Sequence, residues 1–149
     1  MKPRLLLSAC LVGVPCRYDG ISKPCDRVRL LADYFEFVPV CPECDGGLPT
    51  PRAPSEIVGD RVMNSLGSDV TAEYLLGAQR AVDAARLNGC EYALLKARSP
   101  SCSNGEVYDG TFSKRLVTGS GLTARALASA GVRVYNEEQI DLLLSEILE

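Results

Sequence analysis

Apolar residues along the chain fall into short runs and longer helical stripes that alternate. "RLLLSA" (4–9) is a short continuous apolar run, the mark of a buried strand. "CDRVRLLADYF" (25–35) has helical spacing, with Val28, Leu31 and Phe35 on one face and Pro24 just ahead of it. "FEFVPV" (35–40) reads as a second strand. "DRVMNS" (60–65) reads as a short strand, or as one arm of a hairpin that starts at Ile57. The clearest helix is "DVTAEYLLGAQRAVDAARLNG" (69–89). Asp69 or Thr71 can cap its start, Val70, Tyr74, Leu75, Ala78, Val82 and Ala85 form its stripe, and Gly89 can end it. "EYALLKA" (91–97) is a third strand, "GLTARALASAG" (121–131) a helix ending at Gly131, and "VRVYN" (132–136) a fourth strand. "EEQIDLLLSEILE" (137–149) is a final helix, with Asn136 as its cap and Ile140, Leu143, Leu144 and Ile147 as its buried stripe.

Strands alternating with helices predict an α/β fold with a mostly parallel sheet of about four strands. The expectation is a single three-layer Rossmann-like domain over residues 1–149, since no repeat, low-complexity tract or linker divides the chain. A chain of 149 residues can bury a core without disulfide staples. Residues 98–120 form one long irregular segment, and a loop of that length in a compact domain is usually functional. "YDG" occurs at 18–20 and 108–110, and both read as turns whose Gly takes a positive φ.

Composition narrows the function. Apolar residues make up 46%, charged residues 23%, and the net charge is −3 with no block of like charges. That argues against an extended nucleic-acid or membrane surface and leaves a local basic pocket open. The N-terminal apolar run, Leu5 to Leu7, is too short for a secretory segment of about 7–15 apolar residues. No stretch approaches the roughly 20 apolar residues of a membrane-spanning helix. The expectation is a cytoplasmic protein.

The chain has seven cysteines and no histidine. An odd number cannot pair completely, and a reducing compartment disfavours structural disulfides. The missing histidine removes the usual metal ligand and the usual neutral-pH general base. It also excludes Ser-His-Asp and Cys-His catalysis within one chain. A metal site here must use Cys, carboxylate or external ligands.

Positions matter more than the count. Strand one is followed by Cys10, strand two by Cys41, and strand three by Ser99 and Cys102. Ligand sites in open parallel sheets lie beyond the strands' carboxyl ends. Neighbouring strands are about 4.8 Å apart, so the three thiols can converge. A single free Cys is most simply a small buried hydrophobe; three in Pro- or Gly-rich loops favour a site. Thiolates suit zinc, with Cys44 as a fourth ligand in a structural or interaction module. They suit an iron–sulfur cluster equally, with one iron left open when only three cysteines bind. A third reading is a metal-free thiol enzyme with Cys102 as nucleophile or persulfide carrier. Residue chemistry alone leaves all three open. Cys16 lies near enough to Cys10 to be a ligand or redox partner, whereas Cys25 and Cys90 read as structural. "CPEC" (41–44) matches a redox dithiol formally. Such motifs sit at a helix start, and the "DGGLPTPR" that follows predicts a loop instead.

Four blocks, "SACLVGVPCRYDG" (8–20), "CPECDGGLPTPR" (41–52), "KARSPSC" (96–102) and "YDGTFSKRLVTGSGLTA" (108–124), resemble the thiouracil desulfidase family of small bacterial proteins, in the family's order and over nearly the whole length. The resemblance implies a 4Fe–4S cluster held by Cys10, Cys41 and Cys102, with the fourth iron free for the sulfur of a thiolated nucleobase. It implies that Glu43 handles protons and that Ser99 is a catalytic or substrate-orienting hydroxyl. The implied partner is a small thiolated base such as thiouracil, converted to the oxygenated base and hydrosulfide. Two positions depart from the pattern: Cys44 stands where an aliphatic residue is common, and Ser103 where Gly is usual. Arg17, Arg52, Lys96 and Arg98 are candidates for positioning a substrate, and Tyr18 and Tyr108 for stacking on it. The plainer roles are ion pairing and packing, and for Glu43 a turn cap or a pair with Arg52.

Overall fold

The computed structural model describes residues 2–148. Four strands, β1 (Arg4–Ser8), β2 (Glu36–Val40), β5 (Tyr92–Leu95) and β8 (Arg133–Asn136), form one sheet in the order β2-β1-β5-β8. Every pairing in it is parallel. Between them lie α1 (Pro42–Asp45), the hairpin β3 (Ser55–Val58) and β4 (Arg61–Asn64), α2 (Thr71–Asn88), the hairpin β6 (Glu106–Tyr108) and β7 (Leu116–Thr118), and α3 (Leu122–Ser129). α4 (Ile140–Ile147) closes the fold.

Side chains alternate across a strand, and β1 shows the consequence. Leu6 faces α2 and α3, in a cluster with Ala81, Val82, Ala85 and Leu127. Leu5 and Leu7 face the other way, onto Val28, Leu31, Ile140 and Leu143. A central strand covered on both faces needs a continuous apolar run, which "LLL" supplies. The result is the expected three-layer α/β architecture, with helices on both faces of a parallel sheet.

Four local expectations are corrected. The helix expected over 25–35 is a shorter 3₁₀ helix, Asp26–Leu31. Val28 and Leu31, the two residues that it buries, are spaced three apart, which suits three residues per turn. The long segment 98–120 contains the β6–β7 hairpin, whose strands are too short to carry a periodic signal. The last helix starts as a 3₁₀ turn, Glu137–Gln139, where Asn136 and Gln139 form a capping box. Glu149, assigned to that helix from the sequence, lies outside the described residues. Finally, "CPEC" does sit at a helix start. Cys41 is the N-cap of α1, and Pro42 occupies its first turn, where the missing N–H costs nothing.

α1 is only one turn long and is held by contact with α2. A Cβ on Gly46 would stand 1.9 Å from the carbonyl oxygen of Glu73, and one on Gly77 would stand 1.9 Å from that of Pro42. Two glycines therefore let the backbones touch, and this contact fixes the loop that carries Cys41. At the far side, the N-terminus of α3 is bound to the loop of Cys102. The N–H groups of Leu122 and Thr123 donate to the carbonyls of Pro100 and Ser101, at 3.0 and 2.8 Å. Helix-end donors need outside partners, and here the thiol-bearing loop supplies them.

Candidate metal centre and substrate cavity

β1 is central, with β2 on one side and β5 on the other, so the chain reverses its direction of travel at β1. The crevice beyond the carboxyl ends at such a switch point is where open α/β sheets bind ligands. A cavity of about 500 Å³ lies there. Cys10, Cys41 and Cys102 all line it, together with Cys16, Glu43 and Ser99. Each thiol is placed by its own device: a 3₁₀ turn after β1 for Cys10, the α1 N-cap for Cys41, and the α3-anchored loop for Cys102.

Burial pushes the Cys10 thiol up to about 12, with the Cys102 and Cys41 thiols adding to it. Burial likewise lifts Cys102 to about 11. Cys41 is raised by its hydrogen bond with Cys16 and then by burial, while the same bond lowers Cys16. These are thiols at neutral pH that a metal must deprotonate to bind.

Cys44 is outside the cavity lining. Its sulfur lies 3.3 Å from Thr50 Oγ1 and accepts from Arg52 Nη1 at 3.7 Å. Among the described residues, no three Cys, Asp or Glu side chains are gathered tightly enough for a single metal ion. A tetrahedral zinc would need its sulfurs within about 3.8 Å of one another, given Zn–S bonds near 2.3 Å. Three soft thiolates spread around a cavity instead fit a polynuclear group, in which each sulfur serves a different iron. The residues present therefore fit a 4Fe–4S cluster.

Glu43 sits beside the thiols and is doubly engaged. Its Oε1 accepts from Arg52 Nε at 3.0 Å, the pairing anticipated as its plainer role. Its Oε2 accepts from Ser101 Oγ at 3.1 Å and Ser99 Oγ at 3.4 Å. Arg52 also donates to the carbonyls of Cys16 at 2.9 Å and Pro49 at 3.1 Å. It is thus a clamp on the loop rather than a free cation for substrate. Ser99 Oγ accepts from the backbone N–H of Ser101 and Cys102 at 3.2 and 3.1 Å, shaping the turn that presents Cys102.

Lys96 and Arg98 line the cavity but are paired with Glu137 at 2.7 Å and Glu138 at 3.0 Å. Arg17 lines it as well and pairs with Asp19 at 3.4 Å. Tyr18 and Tyr108 are both in the lining. Gly20 and Gly110 take positive φ values of 71° and 92°, as the two turns require. Ser101 escaped the sequence reading. It is 1% exposed and bonds Glu43, Ser99 and the Cys102 sulfur, the last at 3.5 Å. The repeated Ser of "SPSC" was its only signal. Tyr74, buried in α2, reaches the same place; burial raises its phenol, and the Glu43 charge adds to that.

The fold and site together define an α/β protein with a thiol-lined cavity at a sheet switch point. The 2-thiouracil desulfurase family model matches residues 5–139, and the chain belongs to that family. It is 39% identical over 150 residues to YbbK of Bacillus subtilis (strain 168), itself described as uncharacterized, covering 94% of this chain and 99% of that one. It is also similar to the solved structure of the [4Fe-4S]-dependent thiouracil desulfidase TudS (DUF523Vcz). That likeness has a TM-score of 0.91 and 40% identity, over 99% of this chain and 100% of the other.

Proposed function

We propose that this chain is an iron–sulfur-dependent desulfidase that removes sulfur from a thiolated nucleobase such as 2-thiouracil, giving the oxygenated base and hydrosulfide. The observation that carries this reading is the convergence of Cys10, Cys41 and Cys102 on one cavity beside a carboxylate held by two serines. Cys10, Cys41 and Cys102 would hold the 4Fe–4S cluster. When bound, such a cluster supplies a Lewis-acidic iron suited to a soft thiocarbonyl sulfur.

The chain's own residues do the rest. Arg52 fixes Oε1 of Glu43, leaving Oε2 as the oxygen that takes a proton from the attacking water. Ser99 and Ser101 orient that oxygen and hold Cys102 in the same turn. With no histidine in the chain, Glu43 is the acid–base group within reach of the cavity that fits this role. Water adds to the ring carbon, the C–S bond breaks, and sulfur leaves as hydrosulfide, so no net oxidation or reduction occurs.

Seven free thiols support a reducing compartment, and the cytoplasm fits. Among the described residues, no helix is long and apolar enough to cross a membrane. The chain as a whole is read as one thiouracil desulfidase-like domain.

The test is anaerobic purification with iron, acid-labile sulfide and zinc measured per chain, followed by incubation with 2-thiouracil. About four irons and four sulfides per chain, with conversion to uracil, is the expected result. Zinc alone, or turnover by metal-free protein, would overturn the reading.

A further inference from the structure

Three residues other than glycine have a positive φ among the described residues: Arg98, Phe112 and Lys114. All three line the cavity. Backbone in this region is unfavourable for a residue that carries a Cβ, and it persists only where surrounding structure imposes it. Phe112 and Lys114, at φ of 56° and 62°, both lie in the loop that joins β6 to β7. For Phe112 the imposing structure can be named.

That loop is fastened to β3 by Glu56. The Glu56 side chain is 8% exposed and lines the cavity. Its Oε1 accepts from the N–H of Gly110 at 2.9 Å and of Phe112 at 3.2 Å. The approach is close enough that a Cβ on Gly110 would stand 2.7 Å from the carbonyl oxygen of Ile57. Asp109 closes the turn from within, accepting from the Thr111 N–H at 2.9 Å. Phe112 is thereby held at the cavity with 39% of its surface exposed, and it pairs with no other ring among the described residues. A large apolar ring in that state has an open face. Glu56 itself has no place in the proton chemistry assigned to Glu43.

We propose that Phe112 is the stacking wall that makes the site prefer flat heterocycles, and that Glu56 is the positioning residue that holds it there. The inference rests on the desulfidase reading for its choice of ligand. Base–aromatic stacking tolerates many ring substituents, because every base presents a π-face. Phe112 would therefore select for planar rings over open-chain thioamides, while the thiocarbonyl is selected elsewhere.

The experiment uses cluster-loaded protein under anaerobic conditions, with 2-thiouracil and thiourea as the two substrates. Phe112→Leu is expected to raise KM for 2-thiouracil about tenfold, the order of one lost stack, with kcat changed by less than about twofold and iron content kept. Phe112→Tyr should restore KM. KM for thiourea, which has no ring, should not move. Glu56→Ala should raise KM for 2-thiouracil by a similar factor. The Glu56→Ala/Phe112→Leu double variant should be no worse than either single one, because both remove the same stack. An unchanged KM in Phe112→Leu, equal losses for both substrates, or additive effects in the double variant would each overturn the proposal. Calorimetric binding of 2-thiouracil keeps the two readings apart. Binding without turnover in the wild type sinks the desulfidase reading alone, and the variants are then compared by Kd. No binding to the wild type sinks both.

Discussion

Glu43 is the residue on which the proposed proton role is tested most directly. Its two oxygens are divided: Arg52 holds one, and Ser99 and Ser101 share the other. Glu43→Gln keeps the shape but cannot take the proton. Turnover of 2-thiouracil should fall by about 10²–10⁴-fold, with iron and sulfide per chain unchanged, in steady-state assays on the loaded variant. The cysteines should divide as cleanly. Cys10→Ser, Cys41→Ser and Cys102→Ser should each purify with little iron and no brown colour. Cys44→Ser should keep both, because Cys44 bonds Thr50 and Arg52 rather than facing the cavity. Metal analysis of four parallel preparations decides this. A colourless Cys44→Ser protein would overturn the ligand set.

Elements carry the site by touching at a few points. α1 and α2 approach through Gly46 and Gly77, where an added methyl meets backbone and has nowhere to go. Gly77→Ala should cost at least about 1–3 kcal/mol, as overpacking does. It should also lower iron loading, since α1 carries Cys41 at its start; denaturant melts with metal analysis test both effects. The start of α2 gives a pH signature. Bonds from the Thr71 hydroxyl, then from its N–H and from Arg61, hold Asp69 near 2, below its ordinary 3.8. A lowered folded value means that ionised Asp69 favours the folded chain. This contribution is full above about 3.8 and disappears as pH falls through about 2. Asp69→Asn should therefore melt lower than wild type at neutral pH. The gap should close as pH falls from about 4 towards 2 in thermal melts of cluster-free protein. A gap independent of pH would refute the assignment.

At the scale of the whole molecule, the three thiols come from three adjacent strand ends, so a cluster bound to them ties β2, β1 and the loop after β5 together. A group that binds only the folded state stabilises it, by about 2.7 kcal/mol when present at a hundredfold its Kd. Anaerobic melts should place loaded protein above cluster-free protein in Tm. The three Cys→Ser ligand variants should show no such gap.

The sequence by itself determined the α/β class, all four strands of the main sheet and the turn glycines. These follow from periodicity and φ preference, which are local properties of the chain. It also narrowed any metal site to Cys, carboxylate or external ligands, since the chain offers seven cysteines and no histidine. The thiols after β1 and β2 were legible because strand ends can be read from neighbouring residues. Only the tertiary structure decided the strand order that makes those ends neighbours. It alone brought Ser101 to Glu43 across 58 positions and Phe112 to Glu56 across 56. It also made "CPEC" a helix start, against the local expectation, because α2 presses a one-turn helix into place that its own sequence would not sustain. Contacts over such separations leave no periodic trace in a chain. They arise from how the layers pack, and the cavity exists only once they have packed.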